Sequence, residues 1–366
     1  MSYLEIKELD KKYTAKGPLI VDKMNLSIDQ GEFIVFLGPS GCGKTTTIRM
    51  IAGLEEVTGG DITIEGESIL DKLPKDRGVS MIFQSYAIWP HFTVFENIAY
   101  PLKLQKIDKN EIRKRVEKAA QVTQIDNLLD RYPSQMSGGQ RQRVAVSRAI
   151  VVNPKIFLMD EPLSNLDAKL RVSMRTDLRD IHDKLGTTSI FVTHDQSEAM
   201  SLADRIIIMN RGRIEQIGTP VEVYQQSATK FVAGFIGTPP TNFFEVTITE
   251  ADKKLIATGG GVQLSLSKKD TERLSSYKGK TVDMGIRPEY LGIVPLDGHL
   301  ENSFATARID FIEQQGSHAI LIATIGTNTV KIETSDFMNI KAKSEVQVFV
   351  KKEMVSFFDK ETTLRI

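Results

Sequence analysis

The sequence predicts a parallel α/β domain with a helical insertion, followed by a second, all-β domain. Three observations carry this. Short, continuous apolar runs alternate with helical spacing through the first two thirds of the chain. A long charged stretch without a convincing strand interrupts them. After Gly237-Thr-Pro-Pro-Thr the pattern changes to closely spaced alternating runs.

In chain order, residues 3–9 and 19–28 mix β-branched and apolar residues with charge, as half-exposed strands do. Phe33-Ile-Val-Phe-Leu37 is uninterrupted and ends at Gly38-Pro39, the signature of a strand buried on both faces. Residues 44–53 have helical character until Gly53. Residues 156–159, 189–193 and 205–209 are three more buried-strand candidates. Leu170, Met174, Leu178, Ile181 and Leu185 recur at helical spacing between them. Thr93 and Glu96 fit a capping box that opens a helical insertion over 93–153. Beyond 237, the runs at 244–249, 262–266, 305–312, 319–325, 329–333 and 346–350 are separated by Gly, Asn and Asp turns. They predict a small β-barrel or sandwich.

Composition bounds the function. With 366 residues the chain has room for two or three domains. Its 47 basic residues match 47 acidic ones, and the balance holds on each side of the boundary: 31 against 30 in 1–236, 16 against 17 in 237–366. No basic tail or stripe argues for bulk phosphate attraction, so no nucleic-acid partner is expected. A single cysteine excludes an intramolecular disulfide framework and a cysteine-cluster metal site. The first residues build no apolar leader, and no run approaches the roughly 18 apolar residues that span a bilayer. Work at a membrane would need another chain to hold this one there.

Three motifs carry chemistry. Gly38, Pro39, Ser40, Gly41, Cys42, Gly43, Lys44 and Thr45 match G-x-x-x-x-G-K-[ST] between a buried strand and a helix. Glycines let successive N–H groups curl around phosphate oxygens, and the helix start adds its dipole. Lys44 would reach the β- and γ-phosphates, and the Thr45 hydroxyl would ligate Mg²⁺; Thr46 follows on the same helical turn. Cys42, near a helix N-terminus, is expected to favour the thiolate and to be open to an alkylating reagent; the alternative is a small apolar filler. Asp160 and Glu161 end the strand 156–159, at the sheet edge where ligands bind. There Asp160 would hold Mg²⁺ through water and Glu161 would polarise the attacking water. Ser137 is a plausible N-cap ahead of Gly138, Gly139 and Gln140, a second anion site. Two chains arranged head-to-tail could each complete the other's site.

These segments, with Gln84, Ser164-Asn-Leu-Asp167 and His194, occur in the order seen in ABC-type ATPases, which residues 1–236 therefore resemble. The helical subdomain of that family corresponds to about 86–155. Residues 237–366 resemble the OB-like accessory domain of importers for maltose, multiple sugars and related solutes, through Gly237–Phe243 and Gly285-Ile-Arg-Pro-Glu289. Met136 departs from the usual leucine, a change between apolar residues.

The resemblance implies further roles. Tyr13 would stack on adenine, against the alternative of a strand-edge tyrosine. Gln84 would link Mg²⁺ and the attacking water to the membrane partner. His194 would contact the γ-phosphate, and Asp167 would communicate across a dimer. Trp89 is either a core aromatic or part of a surface cleft that receives a helix of the membrane subunit. Arg141 and Arg143 read as a solvated or interdomain face. The implied protein is the ATP-binding and ATP-hydrolysing subunit of a solute importer, with carbohydrate as the leading choice of solute. It would work as a homodimer with two transmembrane permease subunits and, indirectly, an extracytoplasmic solute-binding protein, at the cytoplasmic face of the membrane. The alternatives are an importer of oxyanion, polyamine or iron, or a soluble ABC-type ATPase acting on DNA or ribosomes. The last expects a coiled-coil insertion, a second cassette or a basic face.

Overall fold

A computed structural model describes residues 2–251, 254–295 and 304–366. Two compact units divide between Val221 and Glu222.

The first unit contains two sheets. Strands β1 (Leu4–Lys11), β2 (Val21–Ile28), β3 (Phe33–Leu37), β4 (Gly59–Ile64), β5 (Glu67–Ser68) and β6 (Val79–Ile82) precede the insertion; α1 (Lys44–Ala52) follows β3. The insertion is built from α2 (Val94–Leu104), α3 (Lys109–Val122) and α4 (Gly138–Ile150), which pack on one another. Then come β7 (Ile156–Asp160), α5 (Ala168–Leu185), β8 (Thr188–Thr193), α6 (Gln196–Leu202), β9 (Arg205–Asn210) and β10 (Arg213–Gly218). One sheet runs β2-β1-β4-β5 and is antiparallel. The other runs β10-β9-β3-β8-β7-β6, parallel except for β10.

The sequence explains the elements. Strands β3, β7 and β8 are buried at every residue, which is why they read as unbroken apolar runs. Thr93 and Glu96 form the expected capping box at α2, and Gly53 ends α1 in the left-handed region at φ 77°. Alternate residues of β1 (Leu4, Ile6) pack with Ile34 and Phe36 of β3 and Ile48 and Ile51 of α1 in a single core.

The second unit holds two antiparallel five-stranded sheets. Its elements after α7 (Pro220–Gln225) and α8 (Lys230–Phe235) are β11 (Asn242–Ala251), β12 (Lys254–Gly259), β13 (Val262–Ser265), α9 (Lys268–Leu274), β14 (Thr281–Ile286), β15 (Leu291–Pro295), β16 (Ala305–Gln314), β17 (Ala319–Ile325), β18 (Asn328–Thr334), β19 (Glu345–Val350) and β20 (Ser356–Asp359). The orders are β13-β12-β11-β14-β20 and β15-β19-β16-β17-β18. Inward residues of both sheets share one core; Phe244 of β11 meets Phe304 edge-to-face with centroids 5.6 Å apart.

Candidate functional site

The loop 38–43 leaves the carboxyl end of β3 and opens α1. Glycine is required there for steric reasons. A Cβ on Gly38 would lie 2.3 Å from the Met209 carbonyl oxygen, and one on Gly43 would lie 2.7 Å from that of Ile20, at φ 104°. No side chain caps α1 and its first turn holds no acidic residue, so its leading N–H groups face the loop unneutralised. Lys44 is 5% exposed and donates to the carbonyls of Gly38 (2.7 Å) and Pro39 (3.0 Å). A fixed ammonium, a helix start and a bare backbone turn make an anion site.

Thr45 connects this loop to the adjoining strands. Its hydroxyl donates to Asp160 Oδ1 at 2.8 Å, although the two residues stand 115 apart in sequence. Burial pushes the Asp160 carboxyl above the usual range, opposed by the Thr45 hydrogen bond and by Arg49, 3.9 Å away; Glu161 adds to the upward push. Glu161 has φ 46° and anchors its N–H on the Val192 carbonyl of β8 at 3.0 Å. Its carboxylate lies 3.4 Å from His194 Nδ1. Thr45, Asp160, Glu161 and His194 therefore converge at one sheet edge.

Gln84 is joined to the same cluster. Its amide donates to Ser164 Oγ at 3.2 Å, Ser164 Oγ donates to the Glu161 carbonyl at 2.9 Å, and Asn165 Nδ2 donates to the Gln84 carbonyl at 2.8 Å. Tyr13 is 57% exposed, with its hydroxyl 3.2 Å from Thr46 Oγ1 and Lys11 Nζ 5.0 Å from its ring centroid. It stands beside the phosphate loop, with Lys11 over its ring.

Ser137 and Gln140 are separate from this cluster. Among the described residues they bond each other: the Ser137 hydroxyl accepts from the Gln140 N–H at 3.3 Å, and the Gln140 side chain accepts from the Ser137 N–H at 3.0 Å. That reciprocal cap starts α4, with Gly138 and Gly139 close against Leu166 and Leu170. Asp167 caps α5 through the Leu170 N–H at 3.0 Å.

One sequence expectation is corrected. Cys42 is 3% exposed, and burial pushes its thiol up despite Lys44 nearby. It is an inward filler and not an accessible thiolate, because the tight turn at Gly38 folds its sulfur inward. Arg143, read as a solvated or interdomain face, pairs with Asp177 of α5 at 2.5 Å and donates to the Thr123 carbonyl at 2.9 Å, so it joins the helical insertion to α5.

Sequence reasoning missed Arg148. It donates to the carbonyls of Tyr86 and Ala87, both at 2.7 Å, and its guanidinium carbon lies 4.8 Å from the Trp89 ring centroid. Tyr86 and Ala87 are consecutive residues with positive φ, 61° and 46°. Asn97, fully buried, holds the far side: it accepts from the Trp89 N–H and donates to the carbonyls of Trp89, Phe92 and Thr93. Trp89, Phe92 and Tyr100 form a partly exposed aromatic cluster, with Trp89 and Tyr100 centroids 4.5 Å apart. A lone arginine in a helix carries no signal of such a role, since its partners are backbone carbonyls.

A glycine turn closing on a buried lysine, with a helix-borne hydroxyl against an acidic strand end, defines a phosphate-loop ATPase. The comparisons refine the class. The ABC transporter family model matches residues 21–164, and the MalK OB fold domain model matches 237–291. The oligosaccharides import ATP-binding protein MsmX of Bacillus subtilis is 46% identical over 100% of both chains. The multiple sugar-binding transport ATP-binding protein MsmK of Streptococcus mutans is 44% identical, again over 100% of both. The sn-glycerol-3-phosphate import ATP-binding protein UgpC of Bordetella avium is 46% identical over 93% of this chain and 94% of its own. Among solved structures, cbiO1 of Clostridium perfringens, part of the transporter complex cbiONQ, is 29% identical with a TM-score of 0.57, over 61% of this chain and 90% of its own. The dimeric post-hydrolysis cassette MJ0796 bound to ADP and Pi is 30% identical with a TM-score of 0.53, over 59% and 98%. The chain belongs to the ABC transporter family, as an ATP-binding subunit of the import type.

Proposed function

We propose that this chain energises solute import through partner membrane subunits, with a carbohydrate as the cargo. The observation that carries the ATPase part is the joining of Lys44, Thr45 and Asp160 at the carboxyl edge of the parallel sheet. The printed names of MsmX and MsmK support the carbohydrate reading. UgpC at 46% identity favours a second reading, a phosphorylated polyol. No helix of the described residues is long and apolar enough to cross a membrane, so membrane work falls to permease subunits, two in number, with an extracytoplasmic solute-binding protein delivering the cargo. The chain then sits at the cytoplasmic face.

The residue roles are assigned as follows. Gly38, Pro39, Ser40, Gly41, Cys42 and Gly43 offer backbone N–H groups to phosphate oxygens, and Lys44 and Thr46 complete the cradle. Tyr13 stacks on the base. One hydroxyl, one amide and one raised carboxyl suit Mg²⁺, which takes few protein ligands and keeps several waters, so Thr45, Gln84 and Asp160 would hold it. Bound there, Mg²⁺ supplies positive charge against the phosphate oxygens. Glu161 accepts a proton from the attacking water, and His194, 3.4 Å from it, faces the γ-phosphate position. Ser137, Gly138, Gly139 and Gln140 act on the nucleotide of a second copy, with Asp167 beside that contact, which makes the working form a homodimer. The ATPase domain is assigned to 1–236, its helical subdomain to about 86–155, and a dimerising or regulatory β-domain to 237–366.

Glu161→Gln tests this reading. The amide keeps the shape and loses the basic lone pair, so ATP should stay bound, turnover should fall by at least about a hundredfold, and a nucleotide-bound dimer should accumulate on size-exclusion chromatography. Turnover at the wild-type rate by a monomer would sink the assignment.

A further inference from the structure

The second unit contains a cleft of about 550 Å³, between the 224–227 segment, α9, β14 and the stretches 353–356 and 365–366. That is ample for a small ligand. Four cationic side chains line it, Lys269, Arg273, Arg287 and Arg365, against one side-chain carboxylate, Glu353. Nothing in the ATPase reading uses them.

The two arginines at its wall are held by neutral groups. Arg287 is 6% exposed; its guanidinium donates to the carbonyls of Ile236 (2.6 Å) and Tyr224 and lies 3.7 Å from the Tyr224 ring centroid. Arg365 donates to the Gln225 carbonyl at 3.0 Å. Neither has a carboxylate within ion-pair distance among the described residues. The carboxylates that stand nearby are engaged by hydroxyls: Glu289 accepts from Tyr224 at 2.6 Å and Asp270 from Ser267 at 2.5 Å. Burial lowers the Arg365 guanidinium, Arg273 and Arg287 lower it further, and Asp270 opposes them, so the positive charges do converge. A buried cation without a counter-ion is costly unless something anionic completes it. Lys269 and Arg273, both exposed on the same short helix, stand at the rim where they can close over such a group.

We propose that this cleft binds a small anion bearing one or two phosphoryl groups, with Arg287 and Arg365 at the wall and Lys269 and Arg273 at the rim. Planar guanidinium forks suit phosphoryl oxygens, and the polar, open lining suits a hydrophilic ester over an apolar one.

The test titrates full-length protein calorimetrically with inorganic pyrophosphate and, separately, with a hexose monophosphate. Both are run in a Lys44→Ala background to weaken the phosphate loop as a competing site. One bound anion per chain is expected, with affinity falling as salt rises. Adding Lys269→Glu and Arg273→Glu, on exposed positions, should weaken binding by at least about tenfold. Preference between the two probes separates an inorganic from a sugar-ester ligand. No binding of either probe at millimolar concentration, or binding untouched by the double reversal, overturns the proposal. The outcome is independent of whether Glu161→Gln stops turnover.

Discussion

Replacing Arg148 by alanine isolates the tie between α4 and the segment after Gln84. The side chain makes two charge-assisted hydrogen bonds, to the Tyr86 and Ala87 carbonyls, and one ring contact, to Trp89. Bonds from a charged donor contribute about 1.5–3 kcal/mol each, and the ring contact about 0.5–1 kcal/mol. Ala87 is exposed, so water can take up its freed carbonyl, and the lower bound applies: about 3 kcal/mol from the two hydrogen bonds alone. The two residues tied down have positive φ, a conformation that costs about 1–2 kcal/mol per residue, so release also lets the backbone relax away. The opening free energy of this segment should fall by about 3 kcal/mol, a factor of about a hundred. Hydrogen exchange reads it directly at the Trp89 amide, which is held by Asn97 Oδ1 at 2.9 Å. Arg148→Lys keeps one charge but not the fork and should recover about half of the loss. Unchanged protection of Trp89 in Arg148→Ala would refute the reasoning, because the two carbonyls would then be held by something else.

Gly38→Ala places a methyl 2.3 Å from the Met209 carbonyl, backbone against backbone, and should cost about 1–3 kcal/mol together with nucleotide affinity; Gly41→Ala, where a Cβ meets nothing within 4 Å and only φ +77° is strained, should be milder by calorimetry and ATP titration. Equal losses in the two variants would remove the carbonyl from the explanation. Alkylation of Cys42 should be slow at neutral pH, because the burial that raises its thiol also blocks approach, and should quicken as pH passes the ordinary thiol value of 9.0. The same raised value means the unfolded thiol ionises first. Stability from this group is therefore intact below pH 9.0 and declines as pH rises toward the folded value, which denaturant melts of wild type and Cys42→Ser across alkaline pH should separate.

Much of the first unit was legible because its central strands are buried on both faces and so appear as unbroken apolar runs. Two of the strands that escaped notice are at the margins. Strand β6 (Val79–Ile82) borders its sheet with three half-buried residues in four, and β10 (Arg213–Gly218) borders the other side with mixed exposure; β4, paired on both sides, escaped for another reason, since it begins with two glycines. Edge strands lose the contrast on which pattern reading depends. In the second unit β14 escaped because Asp283 breaks its apolar run; that carboxylate is buried against Lys230 at 2.7 Å. The phosphate loop was legible from spacing alone, since steric demands on Gly38 and Gly43 leave few alternatives. Contacts made to backbone carbonyls, as by Arg148 and Arg287, leave no trace in residue type.

The hydrogen bonds from Gln84 through Ser164 to the Glu161 main chain form a mechanical linkage. Residue 84 is held at two points: its own carbonyl by Asn165, and its amide by a hydroxyl clamped to the carbonyl of Glu161. That peptide stands in a sparsely populated basin at φ 46°, where a small torque has a lower basin within reach. Either the lever holds and the carboxylate turns with residue 84, or the clamp slips and the two loops part company. Tightly packed surroundings favour such two-position behaviour over gradual bending, so a shift of residue 84 would reach the Glu161 peptide as a step.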